Sequence, residues 1–261
     1  MIIDLKGKNA LITGGGTGIG RHTAKALADA GARIAFTSRK KNSINETLKI
    51  LGKNKHKGYQ IDLLKKGNIQ ILYKKLKKDF GKIDILINNI GHTLNKRDPF
   101  CKIEDWKSVM NLNFFTSVDM VNHFIGDMKK NNWGRIINIT SVAGLEISGP
   151  STFNASKAAL TAYTKSVGRA LAMEKRNIVM TAFAPGVIPT ETGHWNKSTT
   201  GTKHAKHYLK HRTALGRFGE MKEITGILVF LSSDHASFFH SSIIQADGGQ
   251  SKQYRADTFL K

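Results

Sequence analysis

Short apolar segments alternate with longer amphipathic segments along almost the whole chain. Strand-like composition marks residues 9–13, 33–38, 58–62, 83–88, 135–141, 178–183 and 242–246. Helical spacing of apolar side chains marks residues 18–30, 43–51, 66–80, 103–130, 151–175 and 220–232. The strands carry little polar alternation, which is typical of a sheet covered on both faces. The alternation therefore predicts an α/β fold with a doubly wound, parallel, seven-stranded sheet.

No linker rich in Pro, Gly or Ser divides the chain, so a single domain over residues 1–261 is predicted. The alternation is interrupted by one polar segment, at about residues 189–212. Insertions of this kind usually lie at the carboxyl ends of the strands, where open α/β sheets bind their ligands. We therefore expect this segment to form a helical lid over the substrate.

Basic residues and histidines dominate the predicted lid. They are His194, Lys197, Lys203, His204, Lys206, His207, Lys210, His211 and Arg212. Such a lid favours an acidic substrate: a thioester on an acidic carrier protein, a coenzyme A ester or a sugar acid. The spacing of His204, His207 and His211 would permit a metal site. With no cysteine or carboxylate nearby to complete that site, a solvated basic face is favoured and no metal is expected.

The whole chain is basic, with 41 Lys and Arg against 19 Asp and Glu and a net charge of +22. This charge is scattered along the chain, which favours a solvated surface over a nucleic-acid site. Cys101 is the single cysteine, so an intrachain disulfide is excluded and a reducing compartment fits. No apolar run approaches the ~20 residues of a membrane span, and none resembles a secretory leader. We expect a cytoplasmic protein with no membrane partner and no specific nucleic-acid partner.

A glycine-rich turn, TGGGTGIG at residues 13–20, follows the first predicted strand and opens the first predicted helix. Glycines allow the backbone to approach a pyrophosphate, whose charge the N–H groups of the helix N-terminus then meet. The second strand ends at Ser38 and Arg39, where an acidic side chain would select the ribose 2′-hydroxyl of NAD. A guanidinium can instead bind a 2′-phosphate, so a Rossmann-like site for NADP(H) is predicted.

Further motifs follow the glycine turn in a fixed order. They are Asp62-Leu63, NNIG at residues 88–91, Asn113, GRIINITS at residues 134–141, PGVIPT at residues 185–190, LGRFG at residues 215–219 and DGG at residues 247–249. From residue 4 to about residue 249 the chain resembles the short-chain dehydrogenase/reductase family. The resemblance implies the interconversion of a ketone and a secondary alcohol. Its pattern is most similar to 3-oxoacyl-carrier-protein reductases and to related sugar or polyol dehydrogenases.

The resemblance also assigns roles to individual residues. It implies a cofactor site made of Gly14, Gly16, Thr17, Gly18, Ile19, Gly20, Ser38, Arg39, Asp62, Leu63, Asn89, Gly91, Lys157, Pro185, Gly186, Ile188 and Thr190. It places Asn113, Ser141 and Lys157 in the catalytic site, where Ser141 polarises the substrate oxygen and Lys157 holds the ribose. A homotetramer is implied as well, in which the helices at residues 103–130 and 151–175 pack across a two-fold axis.

One position departs from the family pattern. The YxxxK motif of the family reads FNASK at residues 153–157, so Phe153 stands where the catalytic tyrosine is expected. In the family, this tyrosine donates a proton to the carbonyl as the hydride arrives, and the neighbouring lysine lowers its pKa. Phenylalanine fills nearly the same volume and has no proton to give. The catalytic site is therefore predicted to lack its acid.

Three interpretations of Phe153 stay open. In the first, the chain is a reductase that has lost its acid, naturally or by engineering. In the second, another donor serves a working enzyme: His92, His194 or a water molecule relayed through Lys157. In the third, the chain binds NADP(H) without catalysis. For His92 the favoured interpretation is a polar loop residue, and Tyr163 is expected to point into a helix interface, which makes it a poor donor.

Overall fold

The seven predicted strands are all present in the computed structural model, which describes residues 2–52 and 55–251. They are β1 Asn9–Ile12, β2 Arg33–Ser38, β3 Lys57–Gln60, β4 Ile85–Asn88, β5 Trp133–Ile139, β6 Asn177–Pro185 and β7 Ile243–Ala246. They pair in parallel in the order β3-β2-β1-β4-β5-β6-β7. The chain changes direction across the sheet between β1 and β4, and the carboxyl ends of the strands flank a crevice at that point. The predicted fold class is confirmed.

The helices that connect the strands also follow the prediction. They are α1 Gly18–Asp29, α2 Lys41–Leu51, α3 Asn68–Phe80, α4 Ile103–Met110, α5 Thr116–Asn131, α6 Ser151–Met173, α7 Lys203–Arg212 and α8 Met221–Leu231. A single π-helical turn, Asn111–Phe115, joins α4 to α5. No helix in the described part of the chain is long and apolar enough to cross a membrane. Residues 252–261, which the predicted domain includes, lie outside the described residues.

Each face of the sheet is covered by its own apolar layer. On one face, Leu27 of α1 and Leu228 of α8 belong to the same buried cluster as Phe36 of β2. On the other face, Leu72 of α3 and Phe124 of α5 belong to a second buried cluster. This arrangement explains the missing polar alternation of the strands, because neither face meets water. The ends of the strands are left as the place where a ligand can reach the sheet.

A buried arginine anchors the amino-terminal end of β5. The Arg135 guanidinium donates to the carbonyl oxygens of Ser233 at 2.8 Å and Asn177 at 3.1 Å. It also lies 3.4 Å from the Asp234 carboxylate and 4.5 Å from the centre of the Trp133 ring. Burial lowers the pKa of Arg135 to about 10, against the opposing pull of Asp234. These contacts join β5 to the segment after α8, at the end of the sheet away from the crevice.

Candidate active site

A cavity of about 760 Å³ opens at the carboxyl ends of the central strands. The residues predicted from the sequence that line it are Gly14, Gly16, Thr17, Gly18, Ile19, Ser38, Arg39, Asp62, Leu63, Asn89, Gly91, Ser141, Phe153, Lys157, Pro185, Gly186 and Thr190. The structure thus brings together the glycine turn, the end of β2, the residues after β4 and β5, and the start of the lid. Gly20, Asn113 and Ile188 do not line this cavity and pack against neighbouring structure instead.

The glycine turn between β1 and α1 has no room for larger side chains. A Cβ at Gly16 would lie 2.6 Å from Ser38 Oγ. A Cβ at Gly20 would lie 2.5 Å from the carbonyl oxygen of Gly14, so this glycine lets α1 approach the turn after β1 closely. The helix begins at Gly18, which lines the cavity, so its N-terminal end faces the space where a ligand would lie. This turn fits the diphosphate of a dinucleotide.

The end of β2 forms a basic corner of the cavity. Ser38, Arg39 and Lys40 line it, and the Lys40 backbone N–H donates to Ser38 Oγ at 3.2 Å. The nearby Asp62 carboxylate accepts the backbone N–H of Leu64 at 3.1 Å, so it is engaged within its own loop. The side chain directly after β2 is the cationic Arg39. This corner fits a phosphate on the adenine ribose.

The residues of the expected catalytic group meet at the ends of β5 and α6. Ser141 Oγ accepts the backbone N–H of Ala143 at 3.1 Å, which leaves its own hydroxyl proton free to be donated. Lys157 is buried, and its Nζ donates to the Ile139 carbonyl oxygen at 2.7 Å. Burial lowers the pKa of Lys157 to about 8. The Phe153 ring centre lies 5.7 Å from Lys157 Nζ, so a phenyl face stands where a hydroxyl would be expected.

Asn113 lies behind the cavity wall, in the π-helical turn. Its amide nitrogen donates to the carbonyl oxygens of His92 at 3.0 Å and Val109 at 2.9 Å, and its oxygen accepts the His92 backbone N–H at 2.9 Å. A Cβ at Gly91 would lie 2.9 Å from Lys157 Nζ and 3.0 Å from Asn113 Oδ1. Asn113 therefore ties the loop after β4 to α4, and Gly91 lets Lys157 of α6 approach that loop closely.

The two candidate histidine donors lie in different surroundings. His92 is exposed and lines the cavity, and its Nδ1 accepts the backbone N–H of Leu94 at 2.8 Å. In the neutral ring this contact assigns the proton to Nε2. His194 does not line the cavity and stacks edge-on against Trp195 at 4.6 Å. Burial lowers the pKa of His194, and the charge of Arg97 adds to this effect.

The lid residues form an aromatic cluster around α7. Trp195 stacks on His204 with ring centres 5.5 Å apart and an angle of 11° between the planes, and Tyr208 packs beside it. The rings of His207 and His211 lie 4.4 Å apart on the same helix. Within residues 2–52 and 55–251, no group of three His, Cys, Asp or Glu side chains is placed to hold a metal ion.

Several cavity residues were not identified from the sequence. Leu94, Asn95, Ser43 and Thr192 lie in loops or at a helix start and carry no motif. Glu191 was also missed, although it contacts the N-terminus of α1 through Gly18. For Glu191 a signal was available, because it directly follows the PGVIPT segment. A carboxylate at that place differs in charge from the basic residues of the lid.

The comparison with known families agrees with the geometry. Residues 8–200 match the family model described as short chain dehydrogenase. The chain belongs to the short-chain dehydrogenase family and is an oxidoreductase of that class.

Individual relatives within this family are similar to the chain over nearly its whole length. The 3-oxoacyl-acyl-carrier-protein reductase of Aquifex aeolicus is 33% identical over 254 residues, covering 95% of this chain and 99% of the relative. That of Escherichia coli is 31% identical over 248 residues, covering 95% and 98%. The crystal structure of such a reductase from Agrobacterium tumefaciens with NADP bound superposes with a TM-score of 0.87 at 26% identity, covering 95% of this chain and 96% of that one. These similarities support a nicotinamide cofactor.

Proposed function

We propose that this protein is an NADP(H)-dependent oxidoreductase that interconverts a ketone and a secondary alcohol, with 3-oxoacyl thioesters as its substrate class. The observation that carries the proposal is that Ser141 and Lys157 line the same cavity as the glycine turn and the basic corner at Arg39. The substrate class is supported by curated relatives that are 3-oxoacyl-acyl-carrier-protein reductases.

NADP(H) is proposed over NAD(H) because of the charge at the end of β2. Arg39 and Lys40 line the corner that follows Ser38, and a guanidinium there can bind two of the three terminal oxygens of a 2′-phosphate. The glycine turn receives the diphosphate, and Lys157 reaches the ribose side of the cavity. The NADP-bound relative from Agrobacterium tumefaciens supports this choice.

An acidic or carrier-bound substrate is proposed because of the lid. Its helix α7 exposes Lys203, Lys206 and Lys210 at the surface, close in sequence to three histidines. An acidic carrier protein or the phosphates of coenzyme A would be attracted by this field. The acyl chain of such a substrate would enter between the lid and the Ser141 side of the cavity.

Ser141, Lys157 and Phe153 have different roles in the proposed reaction. The cofactor, when bound, supplies or accepts a hydride. Ser141 donates its hydroxyl proton as a hydrogen bond to the substrate oxygen and holds it in place. Lys157, with a pKa of about 8, is mainly protonated at neutral pH and keeps a positive charge beside the ribose. Phe153 supplies no proton, so the alkoxide that forms on reduction must take its proton from elsewhere, and turnover is slow.

The proposed function is tested by restoring the phenol hydroxyl with the substitution Phe153→Tyr. In Phe153→Tyr, the new hydroxyl lies beside Lys157 and faces the Ser141 side of the cavity. General acid catalysis is worth about 10²–10⁴-fold, so turnover of NADPH with 3-oxoacyl thioesters should rise by about that factor. Cofactor affinity should change little. The double variant Phe153→Tyr with Ser141→Ala is the control and should lose most of the gain. Absence of any gain in Phe153→Tyr would contradict the loss-of-acid interpretation.

In a second candidate function, the wild-type chain is an active reductase and His92 donates the proton to the substrate. The observation that favours it is that His92 lines the cavity wall and that its Nδ1 is engaged by the Leu94 N–H, which leaves Nε2 as the nitrogen facing a substrate. In that case His92→Ala abolishes turnover, and Phe153→Tyr leaves it unchanged. If neither form turns over any carbonyl but both bind NADPH, the protein is a non-catalytic NADP(H)-binding protein instead.

A homotetramer belongs to the proposal as well. The helical segments expected at its interfaces expose apolar side chains in the single chain: Ile103 is 59%, Phe115 is 54% and Met173 is 72% exposed. A cytoplasmic location and the expected absence of a specific nucleic-acid partner stay predictions from the sequence.

A further inference from the structure

A carboxylate of the lid lies against the N-terminus of α1. Glu191 Oε2 accepts the backbone N–H of Gly18 at 2.8 Å, and Glu191 Oε1 lies 3.6 Å from Nη1 of Arg21. Gly18 is the first residue of α1, so Glu191 takes one of the donors that a helix leaves unpaired at its start. Partial burial acts in the opposite direction, but the N–H groups of Glu191 and Gly18, together with Arg21, hold the pKa of this carboxyl below its usual range.

The proposed function assigns the same helix N-terminus to the diphosphate of the cofactor. A diphosphate and a carboxylate both seek the N–H groups and the partial positive charge at this end of the helix. Two anions in contact with one set of donors repel each other strongly at a partly buried site. Thr190 also lies here, since a Cβ at Gly18 would be 3.2 Å from Thr190 Cγ2. The cofactor can reach the full set of donors only when Glu191 has left them.

We infer that Glu191 is an intramolecular competitor for the cofactor diphosphate, and that cofactor binding releases the start of the lid from α1. This inference rests on the proposed binding of NADP(H). Because Glu191 lies on the segment that leads into the lid, the exchange of one anion for the other links cofactor occupancy to the position of the lid. Glu191 thus sets cofactor affinity and takes no part in the chemistry.

Two variants of Glu191 test the effect of its charge and the effect of its side-chain length separately. Glu191→Gln removes the charge and keeps the length of the side chain. Glu191→Asp keeps the charge and withdraws it from Gly18 by one methylene. Glu46→Gln is the matched control, because the exposed Glu46 has its Oε2 2.7 Å from Nη2 of the same Arg21 and contacts α1 through that side chain, not through the backbone N–H of Gly18. All four proteins are titrated with NADPH at physiological salt.

The dissociation constant for NADPH should fall about fivefold in Glu191→Gln and also fall in Glu191→Asp, and it should stay within about twofold in Glu46→Gln. Without cofactor, the melting temperature of Glu191→Gln should lie below that of the wild type, and saturating NADPH should abolish this difference. Equal or weaker binding by both Glu191 variants, with binding by the wild type intact, would overturn the inference and leave the proposed function standing. If none of the four proteins binds NADPH, both are wrong.

Discussion

Arg39 directly follows β2 and lines the corner of the cavity to which the proposal assigns the 2′-phosphate of NADP(H). We expect Arg39→Ala to weaken NADPH binding by about ten- to a hundredfold, because a charge-assisted bidentate contact is worth ~1.5–3 kcal/mol. NADH binding should be unaffected, since that cofactor has no 2′-phosphate. Tryptophan fluorescence titrations with both cofactors measure the effect. Lys49→Ala, at the far end of α2, serves as the control for loss of a positive charge. Unchanged preference in Arg39→Ala would remove the basis for NADP(H).

Lys157 makes the stability of the fold depend on pH. Its pKa falls from 10.5 to about 8 on folding, so between these pH values the unfolded chain binds more protons than the folded one. Stability conferred at this site therefore rises as pH increases from 8 to 10.5. Lys157→Met lacks this dependence, so its stability relative to the wild type should drop by about 2–3 kcal/mol between pH 7 and pH 10.5.

Urea unfolding at both pH values measures this difference. Lys165→Met, an exposed position on the same helix, is the control and should follow the wild type at both pH values. A constant difference between Lys157→Met and the wild type would mean that the amine is not desolvated in the folded protein.

Among single residues, the sequence predicted those that belong to short motifs, because a cofactor site needs particular residue types next to one another. The glycine turn and Arg39, which follow strands, and Lys157 of α6 all line the cavity. The contact between Glu191 and Gly18 joins positions 173 residues apart. Such a contact depends on how the lid folds back over α1, and no local pattern encodes it.

Among the elements, the strands and long helices were predicted well because their apolar periodicity is strong. The π-helical turn at Asn111–Phe115 was not predicted, since one widened turn hardly disturbs the apolar pattern of a long helix. A helical lid was expected over residues 189–212, but the bounds of α7 within it were not predicted. Seven of its ten residues are Lys, His or Arg, and only Ala205 is buried. Aromatic packing around Trp195 holds this part of the lid in place, and periodicity does not report such packing.

The positive charge of α7 leads to a prediction about the substrate. Combined replacement of Lys203, Lys206 and Lys210 by Gln should raise KM for a 3-oxoacyl thioester on an acidic carrier protein about tenfold, since exposed ion pairs contribute ~0.2–1 kcal/mol each. KM for a short, uncharged 3-oxoacyl thioester should stay unchanged. The measurements use the Phe153→Tyr background, where turnover is expected to be high. A similar change for both substrates would show that α7 shapes the cavity and does not attract a carrier.

For the whole molecule, the alternation predicted a doubly wound parallel sheet, whereas the order of its strands comes from the structure. The buried Arg135 was not foreseen, because a charged residue in a strand reads as exposed until its partners are known. Its contacts with Ser233 and Asp234 come from a segment about a hundred residues further along the chain. Three-dimensional packing explains why this charge is buried.

The proposed homotetramer also leads to a prediction for the whole molecule. Phe115 is 54% exposed in the single chain, on the helical segment expected at a two-fold interface. We expect Phe115→Glu to convert the proposed tetramer into smaller species, because burying an unpaired carboxylate there is costly. Analytical ultracentrifugation measures the mass. Ile50→Glu, which places the same charge on the exposed Ile50 of α2, should leave the assembly intact. A wild-type protein that sediments as a monomer would contradict the proposal.

The buried amine of Lys157 has one more consequence, for covalent chemistry. With a pKa of about 8, about a tenth of this amine is in its free-base form at pH 7. An ordinary surface lysine has only about one part in three thousand in that form. Free amines form imines with aldehydes, and this one lies in the wall of a cavity that a small molecule can enter. Among the many lysines of this chain, Lys157 should therefore react preferentially with an aldehyde probe that fits the cavity.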